Sequence, residues 1–348
     1  MNISTYLIGE IGQNHNGSVE LAKLIVDIAA RPIKDELFDH HLMSMNAIKL
    51  TKRDLEYELS KTALSKPYTS IHSFGKTYGE HRQALELSYE EHLEIYNYAK
   101  IKGLDVVETL CAPSCLDILN YFTPDKLKVA SRDLTNLPLL EALSLTKIPI
   151  ILSTGMGGKE ELDKALEVIS KHHDDISILH CVSEYPTNPV HVNLKSISYL
   201  KEHYPNFSIG YSDHTIGIST PVAAVALGAN IIEKHLTLDR KMKGTDQAGS
   251  LGIDGCWRMI RDIRLLELSM GQKDIFIEPA VKETKVKLER SLAVNKNIPE
   301  GSIIKESDLH LLSPGDGYRW LEREKVIGKK VLVPIEKDEL IFPNMISE

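Results

Sequence analysis

Cysteine is scarce in this chain of 348 residues, which contains four of them: Cys111, Cys115, Cys181 and Cys256. They form no CxxC pair and are too few to cross-link a chain of this length, which indicates a reducing compartment. Long apolar runs are also missing, because no stretch approaches the roughly 18 residues that a membrane-spanning helix needs. The first residues lack the basic start and apolar run of a signal peptide. We therefore expect a cytoplasmic protein with no membrane partner.

Basic residues are fewer than acidic residues. Lys and Arg number 41 against 49 Asp and Glu, so the formal net charge is −8. Without a long basic run, an acidic chain is a poor candidate for nucleic-acid binding, so we expect no nucleic-acid partner. An anionic ligand would need a local positive site. Hydrophobic residues at 42% and charged residues at 26% fit a packed globular protein and exclude wholesale disorder.

Strand-like and helix-like segments alternate up to about residue 270. Eight apolar runs predict strands at Tyr6–Ile11, Ala47–Leu50, Val106–Leu110, Leu127–Ala130, Ile148–Ser153, Ile176–Cys181, Phe207–Tyr211 and Ile231–Leu236. Helical patterns occur at Val19–Ala29, Tyr89–Lys102, Pro113–Phe122, Leu137–Leu145, Lys159–His173, Leu194–His203, Thr220–Leu227 and Cys256–Met270. Eight such units match a (β/α)8 barrel, or TIM barrel. A doubly wound sheet alternates the same elements and is the rival prediction.

Polar residues at the strand ends favour the barrel. Each predicted strand finishes in charged or hydroxyl residues that a packed core would not select, as Glu10 and Lys49 illustrate. Active sites of such barrels lie at the carboxyl ends of the strands and draw residues from many of them. Polar residues also mark strand ends that simply enter loops, but this explains the bias toward Lys, Glu and His less well.

Two histidines close to the last two strands form a candidate metal site. His214 follows the seventh predicted strand, and His235 lies at the end of the eighth, two residues after Glu233 on the same face. The imidazoles could share a divalent cation with oxygen ligands from water, a carboxylate or substrate. This nitrogen and oxygen set fits Mn²⁺ or a similar ion better than a closed zinc site. A hydrogen-bonded core histidine is the alternative for either residue.

Two lysines and a glycine-rich turn form a candidate anion site. The turn Ser153–Lys159 follows an apolar strand and opens a helix, where backbone N–H groups can hold an anion. Lys49 and Lys128 lie at neighbouring strand ends. Two inward lysines would imply an acidic ligand, because burying a lysine without an anionic partner is costly. Lys128 could instead point outward as a solvated residue.

The pattern changes near residue 280. We expect a barrel domain over 1–278, a linker over 279–289 and a small β-rich domain over 290–348, with turns at Pro299–Gly301 and Pro314–Gly317. The segment 51–88 looks like a long irregular excursion. It is either a lid over the site or a surface excursion, because long loops inside compact domains are often functional.

Several motifs, in their order along the chain, resemble the sialic acid synthase (nonulosonate synthase) family. They are Ile8–Gly17, Ile150–Met156, His180–Thr187, Gly210–Thr215, and Ala226–Ala229 with Ile232–His235. The C-terminal region resembles the antifreeze-like (SAF) domain of that family. The resemblance implies an α/β protein with a (β/α)8 TIM barrel followed by a small β-rich SAF domain. It also implies a domain-swapped homodimer in which that domain caps the barrel of the partner.

The implied reaction condenses phosphoenolpyruvate (PEP) with an N-acylated hexosamine, giving a nine-carbon sugar and phosphate in surface polysaccharide biosynthesis. N-acetylmannosamine is the default substrate, and Mn²⁺ is the expected metal, with Mg²⁺ or Co²⁺ as alternatives. A legionaminate- or pseudaminate-type synthase acting on a modified 6-deoxy sugar is a close alternative. A synthase of a shorter 3-deoxy-ulosonate and a carbohydrate-binding protein without activity are the remaining alternatives.

The resemblance also implies roles for individual residues. Glu10, His214 and His235 are the implied catalytic residues, and the two histidines the metal ligands. The positions implied to bind PEP are Lys49, Thr109, Lys128, Ser131, Ser153, Ser183 and Ser212. Those implied to bind the sugar are Asp133, Tyr185, Asp246 and Arg319. Ser183 stands where the family commonly has Asn, and Ser313 stands where an Arg often reaches the sugar, a loss for which Arg319 could compensate.

Overall fold

A closed barrel of eight parallel strands is the centre of the computed structural model, which describes residues 5–34 and 42–348. The strands are β1 (Tyr6–Glu10), β2 (Ala47–Lys52), β3 (Asp105–Leu110), β4 (Lys126–Val129), β5 (Ile150–Ser153), β6 (Ile176–Cys181), β7 (Ser208–Asp213) and β8 (Ile231–His235). They pair in chain order, and β8 closes the barrel against β1 with Glu10 opposite His235. The predicted barrel is confirmed, and the doubly wound sheet is wrong, because such a sheet leaves two open edges.

Seven helices pack around the barrel within the described ranges. They are α1 (Val19–Ala30), α2 (Tyr89–Ile101), α3 (Leu137–Leu145), α4 (Lys159–Ile169), α5 (Lys195–His203), α6 (Ser219–Ala226) and α7 (Ile253–Ser269). Between β3 and β4 the connection is a 3₁₀ helix, Pro113–Asn120. The helix predicted to reach His173 ends at Ile169, because residues 170–175 are all polar and offer nothing to bury against the barrel. None of these helices is long and apolar enough to cross a membrane.

Alternation along the strands divides the barrel interior into layers. Six inward residues form an apolar cluster: Ile8, Ala47, Val107, Ile151, Leu179 and Ile231. Two residues later, the same strands place Glu10, Lys49, Thr109, Ser153, Cys181 and Glu233. Because side chains i and i+2 share a face of a strand, this second layer also points inward. The apolar layer therefore closes the barrel below, and a polar layer faces its carboxyl end.

The excursion 51–88 is more regular than the sequence suggested. It contains three short helices, Leu55–Glu58, Lys61–Ser65 and Tyr78–Gln83. It also contacts the loop after β8: the backbone N–H of Gly244 lies 3.3 Å from Nδ1 of His72, and the Lys243 ammonium lies 4.6 Å from the Phe74 ring centre. The excursion is therefore anchored beside the carboxyl end of the barrel.

The chain divides into two compact units, Met1–Gly271 and Gln272–Glu348. The second unit contains a helix, Lys282–Leu288, and an antiparallel pair of strands, Ser291–Val294 and Leu309–Leu312. Its own apolar core includes Leu292, Val294, Ile298, Ile304, Val326, Val331 and Ile341. The expectation of a small β-rich C-terminal unit is met, while the domain bounds 1–278, 279–289 and 290–348 stay predictions.

Candidate active site

A cavity of about 330 Å³ opens at the carboxyl ends of the strands, and every strand contributes to its wall. Twelve of the implied site residues line it: Glu10, Lys49, Thr109, Lys128, Ser131, Ser153, Ser183, Tyr185, Ser212, His214, His235 and Asp246. Asp133 does not line it. It lies on the 3₁₀ helix Ser131–Asp133, where successive side chains point about 120° apart, so it points away from Ser131. Its Oδ2 lies 3.3 Å from Nε of Arg132. Arg319 belongs to the second unit, where its Nε lies 3.5 Å from Oε2 of Glu322.

Two lysines and two carboxylates occupy the cavity floor. Lys49 forms an ion pair with Glu10, and its Nζ lies 3.9 Å from Oε2 of Glu233. Lys128 points inward, not into solvent, with its Nζ 3.7 Å from Oε1 of Glu233. Each lysine therefore already faces a carboxylate of the protein. The expectation that these lysines by themselves require an acidic ligand is wrong, because protein carboxylates supply the compensating charge.

The two carboxylates differ in how readily they hold a proton. Burial raises the pKa of Glu10 to about 7, outweighing the attraction of Lys49. Burial also opposes ionisation of Glu233, but Lys128 and Lys49 outweigh it and hold the pKa of that carboxyl at about 2. Glu233 is thus a fixed negative charge, whereas Glu10 can exchange a proton near neutral pH.

The two imidazoles lie side by side on one wall. The ring centres of His214 and His235 are 5.5 Å apart, and the Tyr185 ring lies 4.1 Å from that of His214. Nδ1 of His214 donates to the Val182 carbonyl at 2.9 Å, because a carbonyl oxygen only accepts, so Nε2 is the nitrogen available to a ligand. Within the part of the chain that the structure describes, Nδ1 of His235 is buried without a hydrogen-bond partner, and burial lowers the pKa of this imidazole. An unpartnered buried nitrogen contradicts the alternative of a hydrogen-bonded core histidine for His235.

These imidazoles fit a metal site that is open to ligands. A neutral imidazole whose other nitrogen bonds a backbone carbonyl, as in His214, is the usual form of a metal-binding histidine. Over residues 5–34 and 42–348, no group of three or more His, Cys, Asp and Glu side chains is arranged to hold a metal ion. His214 and His235 would hold a cation here, and water or substrate oxygens would complete its ligands, as in an open catalytic site.

A small polar cradle surrounds Gly155, just before α4. The Gly155 N–H donates to Oγ of Ser131 at 3.1 Å, and the buried hydroxyls of Ser153 and Ser183 have no hydrogen-bond partner among the described residues. A Cβ at this glycine would lie 2.5 Å from Oγ of Ser183, 2.8 Å from Oγ of Ser131 and 2.9 Å from Sγ of Cys181. Hydroxyl groups that are free to donate, around a glycine with no side chain, suit a small anion such as a phosphate.

Comparison with known proteins decides the family. The pattern of the NeuB family matches residues 41–275, and that of the SAF domain matches residues 289–347. The chain belongs to the NeuB family. It is 33% identical to N-acetylneuraminate-9-phosphate synthase of Homo sapiens, over 98% of this chain and 92% of the relative. It is 34% identical to N,N′-diacetyllegionaminic acid synthase of Campylobacter jejuni, over 97% and 98%.

The fold agrees with a solved structure of such a synthase. The crystal structure of N-acetylneuraminic acid (sialic acid) synthetase from Leptospira borgpetersenii in complex with citrate superposes with a TM-score of 0.67. The two sequences are 30% identical, and the match covers 81% of this chain and 90% of that one. The similarity therefore extends from sequence motifs to three-dimensional structure.

Sequence reasoning missed several residues of this NeuB-family cavity. Arg53, Arg82 and Arg132 line it together with Cys181, whose Sγ lies 3.9 Å from Nδ1 of His214. Arg53 and Arg132 follow strand ends closely, so their position after β2 and β4 was a usable signal. Arg82 lies in the excursion, where no periodicity marked it. With these arginines, five cationic side chains and three carboxylates line the cavity.

A buried ion pair joins the strand ends that carry the imidazoles. Lys234 and Asp213 are fully buried, and Nζ lies 2.5 Å from Oδ2. Asp213 also accepts bonds from the Tyr211 hydroxyl at 2.8 Å and the Thr215 N–H at 2.9 Å. Because Asp213 precedes His214 and Lys234 precedes His235, this pair fixes β7 against β8 beside both imidazoles in this NeuB-family barrel.

Proposed function

We propose that this NeuB-family protein is a transferase that condenses PEP with an N-acylated hexosamine. The products are a nine-carbon sialic-acid-type sugar and inorganic phosphate. One observation carries the proposal: the imidazoles of His214 and His235 line the same cavity as the free hydroxyls of Ser153 and Ser183. The activities named for the human and Campylobacter relatives support it. N-acetylmannosamine is the default sugar, and a modified 6-deoxy sugar of the legionaminate or pseudaminate type is the alternative.

Binding of PEP follows from the cradle and the floor. The hydroxyls of Ser131, Ser153 and Ser183 can donate to an anion. The N-terminal end of α4 adds the partial positive charge of the helix dipole. Lys128, with Ser212, Thr109 and Lys49 beside it, provides further hydrogen-bond donors on the floor. PEP held in this way would lie in the same cavity as His214 and His235.

The chemistry requires proton movements that Glu10 can serve. The electron pair of the PEP double bond forms a bond from C3 to the aldehyde carbon, and the aldehyde oxygen becomes a hydroxyl. Water adds at C2, and the bond from C2 to the phosphate oxygen breaks, which leaves a 2-keto acid and phosphate. Of the two protons of the water, one completes the new hydroxyl and the other leaves with the phosphate. Glu10, with its pKa near 7, can hold or release a proton at this position.

A divalent metal fits the two imidazoles, and NeuB-family synthases typically use one. His214 and His235 would hold it, and its charge supplies polarisation of the aldehyde oxygen. We propose Mn²⁺, with Mg²⁺ or Co²⁺ as substitutes, because mixed imidazole and oxygen ligation suits such ions.

The proposal also covers the sugar contacts, the oligomeric state and the cellular location. Tyr185 and Asp246, beside the imidazoles, would contact the sugar, while the place of Asp133 outside the cavity lining does not support such a contact for it. A domain-swapped homodimer would bring Arg319 of one protomer to the sugar of the other, in line with the family resemblance of the C-terminal region. We place the enzyme in the cytoplasm, where its product serves surface polysaccharide biosynthesis.

The direct test measures phosphate release from PEP with Mn²⁺ and a sugar panel. The panel contains N-acetylmannosamine, its 6-phosphate, a 2,4-diacetamido-2,4,6-trideoxyhexose and arabinose 5-phosphate. We expect release that depends on both a hexosamine and the metal, with a nine-carbon product identified by mass spectrometry. Omission of the sugar, or chelation of the metal, should return the rate to background.

Two rivals are separated by the same panel. A 3-deoxy-ulosonate synthase is favoured by one observation, the three arginines on the cavity wall, which suit a sugar phosphate. Turnover of arabinose 5-phosphate with no turnover of any hexosamine would establish that rival. Sugar binding by calorimetry without phosphate release from any member would instead identify a carbohydrate-binding protein.

Filling the cradle should weaken PEP binding selectively. In Gly155→Ala, the added methyl group would lie within 3 Å of three cradle atoms, so we expect the KM for PEP to rise roughly tenfold to a hundredfold. The KM for the sugar should change far less. Gly252→Ala is the matched control, because no atom lies within 4 Å of its new methyl group. An unchanged KM for PEP in Gly155→Ala would show that the phosphate of PEP binds elsewhere.

A further inference from the structure

Three arginines from separate segments line the cavity. Arg53 follows β2, Arg82 lies in the short helix Tyr78–Gln83 of the excursion, and Arg132 lies in the 3₁₀ helix after β4. None of them belongs to the imidazole wall or to the serine cradle. Arg53 and Arg132 each lie four residues after a floor lysine, beyond the strand end, which places them nearer the mouth than Lys49 and Lys128.

Two of these arginines are held in place by carboxylates. Nη1 of Arg53 lies 2.7 Å from Oε1 of Glu58, and Nη2 of Arg132 lies 3.5 Å from the same oxygen. Glu58 thus links the two guanidinium groups. Nε of Arg53 is buried and lies 3.6 Å from Oε1 of Glu86. These carboxylates fix the two guanidinium groups at the cavity and offset part of their charge.

Arg82 has no such carboxylate. Its Nε donates to the hydroxyl of Tyr78 at 2.8 Å, and the guanidinium lies 4.9 Å from the centre of that ring. In the described part of the chain, no carboxylate oxygen lies within 4.0 Å of its nitrogens. The tyrosine fixes the arginine without neutralising it, so a full positive charge faces the cavity.

We propose, building on the proposed condensation, that Arg53, Arg82 and Arg132 form a phosphate subsite for the sugar substrate. The hexosamine would then be phosphorylated at C6. Its aldehyde carbon must meet PEP at the floor, so the opposite end of the sugar points toward the mouth, where the arginines lie. Guanidinium groups bind phosphate through paired hydrogen bonds, and Arg82 supplies charge that the protein leaves uncompensated.

The position of the phosphate is consistent with the reaction. Condensation adds the three carbons of PEP at C1 of the hexosamine, so C6 of the substrate becomes C9 of the product. The phosphate on C6 takes no part in bond making or breaking, and the phosphate released comes from PEP. A 6-deoxy sugar has no C6 oxygen to carry a phosphate, so the subsite selects against the legionaminate- and pseudaminate-type substrates.

Paired substrates and one substitution test the subsite. We measure kcat/KM for N-acetylmannosamine and N-acetylmannosamine 6-phosphate at saturating PEP and Mn²⁺, in the wild type and in Arg82→Gln. We expect the wild type to prefer the phosphorylated sugar by at least about a hundredfold, from the paired charge-assisted bonds. Arg82→Gln should lose roughly tenfold to a hundredfold in kcat/KM for the phosphorylated sugar and less than about threefold for the other sugar.

Lys76→Gln is the matched control, because it removes one positive charge from the same excursion at an exposed position outside the cavity lining. It should leave both values unchanged. Preference of the wild type for the unphosphorylated sugar, or an equal loss with both sugars in Arg82→Gln, overturns the subsite while the proposed condensation stands. A rise in the KM for PEP alone would assign Arg82 to PEP and overturn it as well. Absence of turnover with every hexosamine overturns both proposals.

Discussion

Replacement of His214 or His235 by alanine is expected to lower the rate of phosphate release roughly a thousandfold. Both rings face the cavity with centres 5.5 Å apart, and His235 keeps a buried nitrogen without a protein partner. Loss of either ring leaves a cation with one protein ligand among the described groups, so metal binding should weaken along with turnover. Steady-state phosphate release and Mn²⁺ binding followed by electron paramagnetic resonance provide two independent measurements.

A surface imidazole is the control for these variants. His203 lies on α5, is exposed, does not line the cavity and stacks on Tyr199 with ring centres 3.8 Å apart. His203→Ala should retain wild-type turnover and Mn²⁺ affinity. If both His214→Ala and His235→Ala bound Mn²⁺ as tightly as the wild type, the metal would have to lie elsewhere. The proposed role of the imidazole wall would then be lost.

The largest expected loss of stability comes from Lys234→Met. This change leaves the Asp213 carboxylate fully buried without its cation, and breaking a buried ion pair on one side costs about 3–5 kcal/mol. At about 2 °C per kcal/mol for a chain of this size, the melting temperature should fall by roughly 6–10 °C. Thermal unfolding followed by circular dichroism measures it. Turnover should fall too, because the pair adjoins both imidazoles along the chain.

Two further variants test whether the unpaired Asp213 carboxylate causes the loss of stability in Lys234→Met. Lys241→Met removes an exposed lysine from the loop after β8 and should change the melting temperature by no more than about 1 °C. The double variant Asp213→Asn with Lys234→Met removes both charges, so it should be more stable than Lys234→Met alone. Equal melting temperatures for Lys234→Met and Lys241→Met would contradict the view that this pair secures the strand ends.

Much of the site was predictable because a barrel obeys simple periodic rules. Strands are recognised by short apolar runs, and the carboxyl ends of parallel strands converge on one face. Glu10, Lys49, Ser153 and His235 could therefore be assigned to a common cavity from position alone. The side on which each strand residue points follows from alternation, which is why Glu233 and His235 both line the cavity.

The helix ends and the excursion were less predictable. Lys159–His173 was predicted four residues too long, because helical propensity continues past Ile169 while the apolar face does not. The segment 51–88 has no sustained hydrophobic periodicity. Its three short helices and the contribution of Arg82 to the cavity were therefore not predicted.

The sequence by itself determined the eight strands, their order and the set of polar residues at their ends, since these depend on local periodicity and chain direction. Only the tertiary structure decided which charges meet. Lys49 faces Glu10, Lys128 faces Glu233, and Lys234 faces Asp213. The three arginines converge in the same way from distant segments. These partnerships depend on barrel closure and strand register, which bring residues tens of positions apart within a few ångströms and which no local pattern encodes.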